Sequence, residues 1–351
     1  MAIDGAVRPA GWLRALSEDS DVIISSRARL ARNIAGYPFL TRASETQQRE
    51  IEDRVRHAAQ EASIAPDFQY FTLNGMPEAK RQILVERRLI SQDLAQASRP
   101  CGVGFGLSEQ LSIMVNEEDH VRIQAIQAGM AVRNAWRLVD AADTALEQRI
   151  AFAFHPEFGY LTACPTNVGS GARVSVMLHL PALSISGELQ KVFAMASKID
   201  FVVRGLYGES SEGLGDFYQV SNQRTLGRPE EEIVSKLETV IPQIVRYERR
   251  VREALLKDDR VAVEDRVFRA YGLLSNCRTA GAEEALGLLS HVRLGVCLGL
   301  LPQFDLGAIN SLFLYTQPGH LQVIAGRSLS TAEAGVFRAD MLRREIGRSA
   351  A

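Results

Sequence analysis

The stretch from Leu161 to Leu180, LTACPTNVGSGARVSVMLHL, joins a cysteine, a proline and spaced glycines to an arginine and then to an apolar strand. Proline after Cys164 fixes the backbone, and Gly169 and Gly171 let main-chain N–H groups approach an anion, a setting that suits an activated thiol beside a phosphate. Arg173 adds a planar fork of donors for phosphate oxygens. The same residues also describe a structural cysteine in a tight loop. Three further stretches carry charge at telling spacings. SSRARLARN, from Ser25 to Asn33, sets Arg27 and Arg29 two apart and so on one side of an extended strand. VNEEDHVRI, from Val115 to Ile123, follows an alternating strand (Leu111, Ile113, Val115) with Glu117, Glu118 and then Arg122. VVRGLYGESSE, from Val202 to Glu212, adds Arg204 and more carboxylates. Singly, these arginines could be solvated surface cations and the glutamates an acidic helix start.

In this order around Cys-Pro-Thr-Asn, the four stretches resemble the phosphagen (guanidino) kinases, and among them most the bacterial protein-arginine kinases, over nearly the whole chain. That resemblance implies transfer of the γ-phosphoryl of ATP, with Mg²⁺, onto a guanidinium nitrogen. The chemistry is demanding, because a guanidinium has no free lone pair and a pKa above about 12. Carboxylates must hold the cation and share its proton, while arginines and Mg²⁺ hold the triphosphate and the phosphoryl in flight. By resemblance, Glu118 and Glu212 flank the substrate guanidinium, either able to take the proton. Arg27, Arg29, Arg122 and Arg173 cage the phosphates, and Glu117 reaches Mg²⁺ through water. Cys164, as thiolate, orients and polarises the substrate nitrogen without becoming a covalent nucleophile.

The chain departs from the animal phosphagen kinases at several points. Tyr207 replaces an arginine, which makes Arg204, three residues earlier, the expected substitute. Met177 stands where those kinases set a histidine against adenine, either packing on the purine or serving as plain core. With Arg27 so early, the helical domain that covers a small substrate is expected to be absent, and an open site suits an arginine side chain on a protein. The family's phosphoarginine-docking motif, Arg-Asp-x-x-Arg-Ala, here reads Ala334-Gly335-Val336-Phe337-Arg338-Ala339, so activation by phosphoarginine is expected to be weakened or lost. The resemblance further implies a homodimer, a small zinc-binding activator protein and a Clp-type protease as partners. Two rivals remain open: a kinase of free arginine or another small guanidine, and a non-catalytic nucleotide-binding adaptor for arginine-rich clients.

Composition bounds the rest. At 351 residues and 46% hydrophobic, the chain can form two packed domains, and a formal net charge of -2 gives no electrostatic footprint for nucleic acid. No stretch approaches the ~20 apolar residues of a membrane span, and we expect a cytoplasmic protein with no membrane partner. Cys101, Cys164, Cys277 and Cys297 form no C-x-x-C pair. His120 reads as structural, and Arg338, Arg343, Arg344 and Arg348 as a solvated basic helix end.

The elements that must position these residues follow from pattern. After a loose start, Val22–Ser26 is a strand, and Ser44 with Gln47 makes a capping box for a helix with Ile51, Val55, Ala58 and Ala62 on one stripe. Helix is expected from Pro77, after Asp119 as far as Trp136, and over Pro181 to Ile199. Strands are expected at 68–73, 111–115, 150–154, around Cys164, and at 173–180, 201–204 and 217–221. The glycines of CGVGFG at 102, 104 and 106 precede a strand, which excludes a dinucleotide fingerprint. From Pro229 onward apolar residues recur at helical spacing. We therefore expect an α+β fold: residues 1–226 an antiparallel sheet flanked by helices, and residues 227–351 an all-helical domain suited to dimerisation.

Overall fold

The computed structural model describes residues 8–15, 17–205 and 213–347. The chain runs β1 (Ile23–Arg32), α1 (Glu45–Glu61), β2 (Gln69–Thr72), α2 (Glu78–Glu86), α3 (Gln92–Gln96), β3 (Gly102–Phe105), β4 (Leu111–Val115) and β5 (Val121–Ala128). It continues with α4 (Val132–Glu147), the small hairpin β6 (Phe154–His155) and β7 (Gly159–Tyr160), β8 (Ala172–His179), α5 (Pro181–Ile185), α6 (Leu189–Ser197), β9 (Phe201–Gly205) and β10 (Phe217–Asn222). Helices α7 (Glu230–Asp258), α8 (Arg260–Asn276), α9 (Ala282–Cys297), α10 (Leu306–Tyr315), α11 (Pro318–Ala325) and α12 (Thr331–Gly347) complete it.

Eight strands form one sheet in the order β2-β3-β4-β5-β1-β8-β10-β9. Every pairing in it is antiparallel, as the α+β expectation requires. Side chains alternate between its faces. Ala28 and Leu30 of β1, Ile123 and Ala125 of β5, and Val174, Val176 and Leu178 of β8 point back into an aliphatic core with Val139 of α4 and Leu237 and Ile241 of α7. Beyond the register shift between Ile23 and Ser25, the odd-numbered positions of β1 and β8 face forward, toward the site.

Local chemistry explains several boundaries. Ser44 and Gln47 close the capping box that starts α1. In β3, a side chain at Gly102 would run into the Tyr70 hydroxyl at 2.3 Å and one at Gly104 into the Phe68 ring at 2.1 Å, so these glycines allow aromatics to lie across the strand.

Other expectations need correction. The helix foreseen from Asp119 to Trp136 is instead strand β5 followed by α4, with the break at Gly129, where φ is 66°. Val121, Ile123 and Ala125 alternate, and sheet pairing on both sides overrides the helical spacing of Ile123, Ile126 and Met130. The span 181–199 is two helices broken at Gly187, φ 73°. Residues 150–154 contribute an isolated bridge between Ile34 and Phe152 and the first residue of β6 in place of a full strand, and Cys164 lies in a loop that runs into the turn Pro165–Asn167, because the proline that follows it stops extended pairing. Nor is the described part of the start loose: Ala10, Trp12 and Leu13 are buried against the C-terminal helices.

Helices take over from α7 at Glu230, but α7 packs its apolar side into the sheet core, and the separate helical core starts with α8. The two cores are locked by polar bonds. Arg293 of α9 is fully buried and donates to the carbonyls of Ser20 (2.6 Å) and Asp21 (2.8 Å), to Asn310 (2.8 Å) and to His179 Nδ1 (2.7 Å). His179 must then be neutral, and its burial and Arg293 both push its pKa far down. Across the cavity, Glu86 of α2 accepts from the backbone of Gly319 (2.7 Å) and His320 (3.0 Å) at the start of α11.

Candidate active site

The front of the sheet opens into a cavity of about 750 Å³. Its polar lining includes Arg27, Arg29, Glu117, Arg122, Arg173 and Arg204, which come from four different strands and one turn. Register explains the convergence. Arg29 pairs directly with Arg173 across β1 and β8, Arg27 sits opposite Ser175, and Arg204 of β9 pairs with Gln219 of β10, which pairs with Met177 of β8. Directly paired residues share a face, so alternation along four strands delivers the arginines to one place.

These guanidiniums have few anionic partners. Arg27 donates to Gln219 at 2.9 Å and Arg173 to Ser221 at 3.3 Å, while Arg173 Nε is buried with no acceptor. Burial, reinforced by Arg88, Arg173 and Arg122, lowers Arg27 to about 9. Burial, Arg204 and Arg122 lower Arg173 to about 10, and Arg29 falls well below its usual value through burial and Arg27. The cavity thus holds more guanidiniums than carboxylates on half-buried side chains, an excess of positive charge that a triphosphate would neutralise.

The carboxylates come from the turn between β4 and β5. Asn116 adopts φ 56° there, and each residue after it takes its own direction. Glu117 is buried; it accepts from Ser91 Oγ at 2.6 Å, from Arg122 at 2.7 Å and from the Glu118 amide at 2.7 Å. Three of its roughly four acceptor positions are filled. Glu118 points outward, half-exposed, with Arg122 at 3.0 Å; burial raises its pKa, with Arg122 opposing. Asp119 is fully buried and accepts from Asn33 Nδ2 (2.7 Å) and the Ala163 amide (2.7 Å). His120 takes a structural part, with Nδ1 accepting from the Ile34 amide at 3.0 Å.

The Asp119 contact ties this turn to the cysteine loop. Cys164 precedes a short turn, Pro165–Asn167, and its Sγ lies 2.9 Å from Thr166 Oγ1. Thr162 Oγ1 donates to the Cys164 carbonyl at 2.8 Å, and Thr225 Oγ1 donates to the carbonyls of Thr166 and Val168 at 2.9 and 2.6 Å. Gly169 has φ 111°, and a side chain there would meet the backbone of Leu226 at 2.7 Å. Gly171 has φ 67°, with Ala31 O at 2.6 Å from where a Cβ would be. The glycines therefore seat the turn against the sheet. Cys164 is half-buried and near enough to act electrostatically on Arg173, although it does not line the cavity itself.

Met177 lines the cavity beyond the arginines. Glu212 and Tyr207 lie outside the described residues. Sequence alone does not mark Arg88, Ser91 or Gln219, which also line the cavity; Ser91 reads only as a helix cap and Gln219 as a strand residue. The basic helix end needs revision too. Arg338 is buried and donates to the carbonyls of Thr316 and Ala280, both at 2.7 Å, and Arg343 bonds Asp340 and the Cys277 carbonyl. Arg344 is exposed, and Arg348 lies outside the described residues.

Comparison with known proteins adds the following. Residues 50–251 match the family model "ATP:guanido phosphotransferase, C-terminal catalytic domain", and residues 260–351 match "Protein-arginine kinase McsB C-terminal domain". A protein-arginine kinase of Moorella thermoacetica is 44% identical over 339 residues, covering 96% of this chain and 97% of its own. One from Halothermothrix orenii is 40% identical over 335 residues, covering 95% and 96%. Among solved structures, a lombricine kinase aligns with a TM-score of 0.57 at 24% identity over 70% of each chain. A duplicated taurocyamine kinase from Schistosoma mansoni aligns at 0.59 and 23% identity, covering 75% of this chain and 38% of that one.

Proposed function

The chain belongs to the protein-arginine kinases of the ATP:guanido phosphotransferase family, and on that premise we propose how its cavity works. The reaction passes the γ-phosphoryl of ATP to the guanidinium of an arginine side chain in a protein. The observation that carries the assignment of the site is the convergence of Arg27, Arg29, Arg122, Arg173 and Arg204 on one cavity with Glu117.

Arg27, Arg29 and Arg173 hold the triphosphate, with Arg204 as the fifth guanidinium in place of the one lost at Tyr207. Arg122 joins the two halves: it contacts Glu117 and Glu118 and also faces the cage, so it can track the phosphoryl as it moves toward the acceptor. Glu118, at the rim, binds the incoming guanidinium. Attack by its nitrogen forms the P–N bond while the bond to ADP breaks, and the nitrogen proton passes to a carboxylate. Burial raises the pKa of Glu118, which strengthens it as that base. Cys164, in its clamped loop, orients the acceptor nitrogen. The remaining acceptor position of Glu117 suits a water of a phosphate-bound Mg²⁺, which would supply charge neutralisation.

The segment 206–212 supplies the second carboxylate. We assign Glu212 to it, and Glu209 is the other candidate in the same segment. The test is incubation with Mg·ATP and an unstructured arginine-rich protein, with phosphosites mapped at neutral pH because the P–N bond is acid-labile. Phosphoarginine should form and should vanish with Glu212→Gln; loss with Glu209→Gln alone would move the assignment. Turnover of free arginine with no product on protein would replace the protein substrate with a small one.

The wider reading concerns partners. We assign residues 227–351 to dimerisation, supported by Val261 (77% exposed) and Phe268 (47%), two turns apart on α8. Action in the cytoplasm, a zinc-binding activator and delivery of clients to a Clp-type protease are carried from family resemblance. Among the described residues no helix is long and apolar enough to cross a membrane. Loss of phosphoarginine activation is supported by packing at the altered motif. A side chain at Gly335 would meet Thr279 Oγ1 at 2.6 Å, and Arg338 spends its donors on carbonyls.

A further inference from the structure

The cavity has two ends of different chemistry. One is the arginine cage on β1, β5 and β8. The other is apolar, and its walls come from different parts of the chain: Met177 and Phe217 from strands, Leu286 from α9, and Phe313 and Leu314 from α10. Phe217 and Phe313 meet edge to face across the junction, with ring centroids 4.8 Å apart at 85°.

Strand β8 connects the two ends. Its front face reads Arg173, Ser175, Met177, His179 in steps of two. Four residues of strand span about 13 Å, so Met177 lies one extended nucleotide's reach from the phosphate cage. The next front-face residue, His179, bonds Ser290 of α9 at 2.9 Å and accepts from Arg293 at 2.7 Å. One strand face therefore carries a phosphate-binding arginine, an apolar contact and the bond that fastens the helical part, in that order. Met177, Leu286 and Phe313 belong to one apolar cluster shared by sheet and helices.

We propose that α9 and α10 form the base-binding wall of the nucleotide site, with adenine held between Met177 on the strand side and Leu286 and Phe313 on the helical side. Binding of the base then tightens the docking of the C-terminal helices on the sheet, since a ligand touching both parts favours the docked arrangement, and the coupling is reciprocal. The inference rests on the cavity being the ATP site, and adds that the helical part is a component of that site.

The test compares binding of Mg·ATP and Mg·tripolyphosphate, which lacks a base, to the full-length protein by calorimetry, in the parent, Phe313→Ala and Phe313→Leu. Phe313→Ala should weaken ATP by about tenfold and leave tripolyphosphate unchanged, with Phe313→Leu close to the parent. Unchanged ATP affinity, or equal weakening of both ligands, overturns the proposal, the second because it marks a general structural defect. Should Phe313→Ala fail to fold, hydrogen exchange on the parent decides. ATP should slow exchange across residues 282–315 more than tripolyphosphate does, and equal protection by the two overturns the wall. If the parent binds neither ligand, the ATP site itself fails, an outcome distinct from failure of the wall alone.

Discussion

The front and back of the central sheet are made by the same strands and follow opposite rules. Behind, aliphatic side chains of β1, β5 and β8 interdigitate with α4 and α7, and the one arginine that β1 sends there is held by a carboxylate, with only its Nε left without an acceptor. Arg32 is 2% exposed, pairs with Asp143 at 2.6 Å, donates to Ser170 O at 2.8 Å and lies 3.5 Å from the centre of the Tyr160 ring. In front, Arg29 sits three residues earlier among other cations, its charge disfavoured by burial and by Arg27. One face is built to be stable, the other to be incomplete until phosphate arrives.

Substituting along this one strand should separate the two rules. Arg29→Met should cost about 10³-fold in phosphotransfer, the scale of a lost transition-state arginine. It should also raise the melting temperature of the ligand-free protein. A folded-state pKa below the unfolded one means that, at every pH below the lowered value, folding opposes the charge, and a neutral side chain removes that penalty. A lower melting temperature would instead make Arg29 a structural residue. Arg32→Met should do the reverse, costing about 3–5 kcal/mol of stability because Asp143 is left buried and unpaired. Denaturant unfolding of both variants reads the contrast.

The carboxylate turn sharpens the comparison further. Since burial raises Glu118, kcat/KM should fall on acidification along a limb placed above about 4.3, the ordinary glutamate value. That limb should vanish in Glu118→Gln if Glu118 is the base. Its survival would pass the role to the carboxylate of segment 206–212. The smallest effect belongs to the altered motif on α12: phosphoarginine-bearing peptide should leave the rate unchanged, where allosteric couplings usually amount to about 5- to 150-fold. Stimulation in that range would show that the motif tolerates Ala334 and Gly335.

Much of this was legible in the chain before folding. The capping box at Ser44, the forward alternation of Arg27 and Arg29 and the strand after Arg173 depend on neighbours a few residues away, and they appear where expected. Family resemblance supplied the roles. The misjudged span from Asp119 to Trp136 has a physical reason: short apolar runs satisfy period 2 and period 3.6 together, and pairing with β1 and β4 settles the contest. Trp12 and Leu13 looked unanchored because their partners lie on helices far along the chain.

What the sequence by itself determined was the chemistry on offer: arginines two apart on strands, a turn rich in carboxylates and a cysteine in a proline–glycine loop. Tertiary structure decided which of these groups remains free to act. Arg32 and Arg338 are chemically the same as Arg29 and Arg173, yet they are spent on Asp143, 111 residues away, and on Thr316 and Ala280. A side chain's charge is local, but its desolvation and its partners are set by whatever the fold brings within hydrogen-bonding distance.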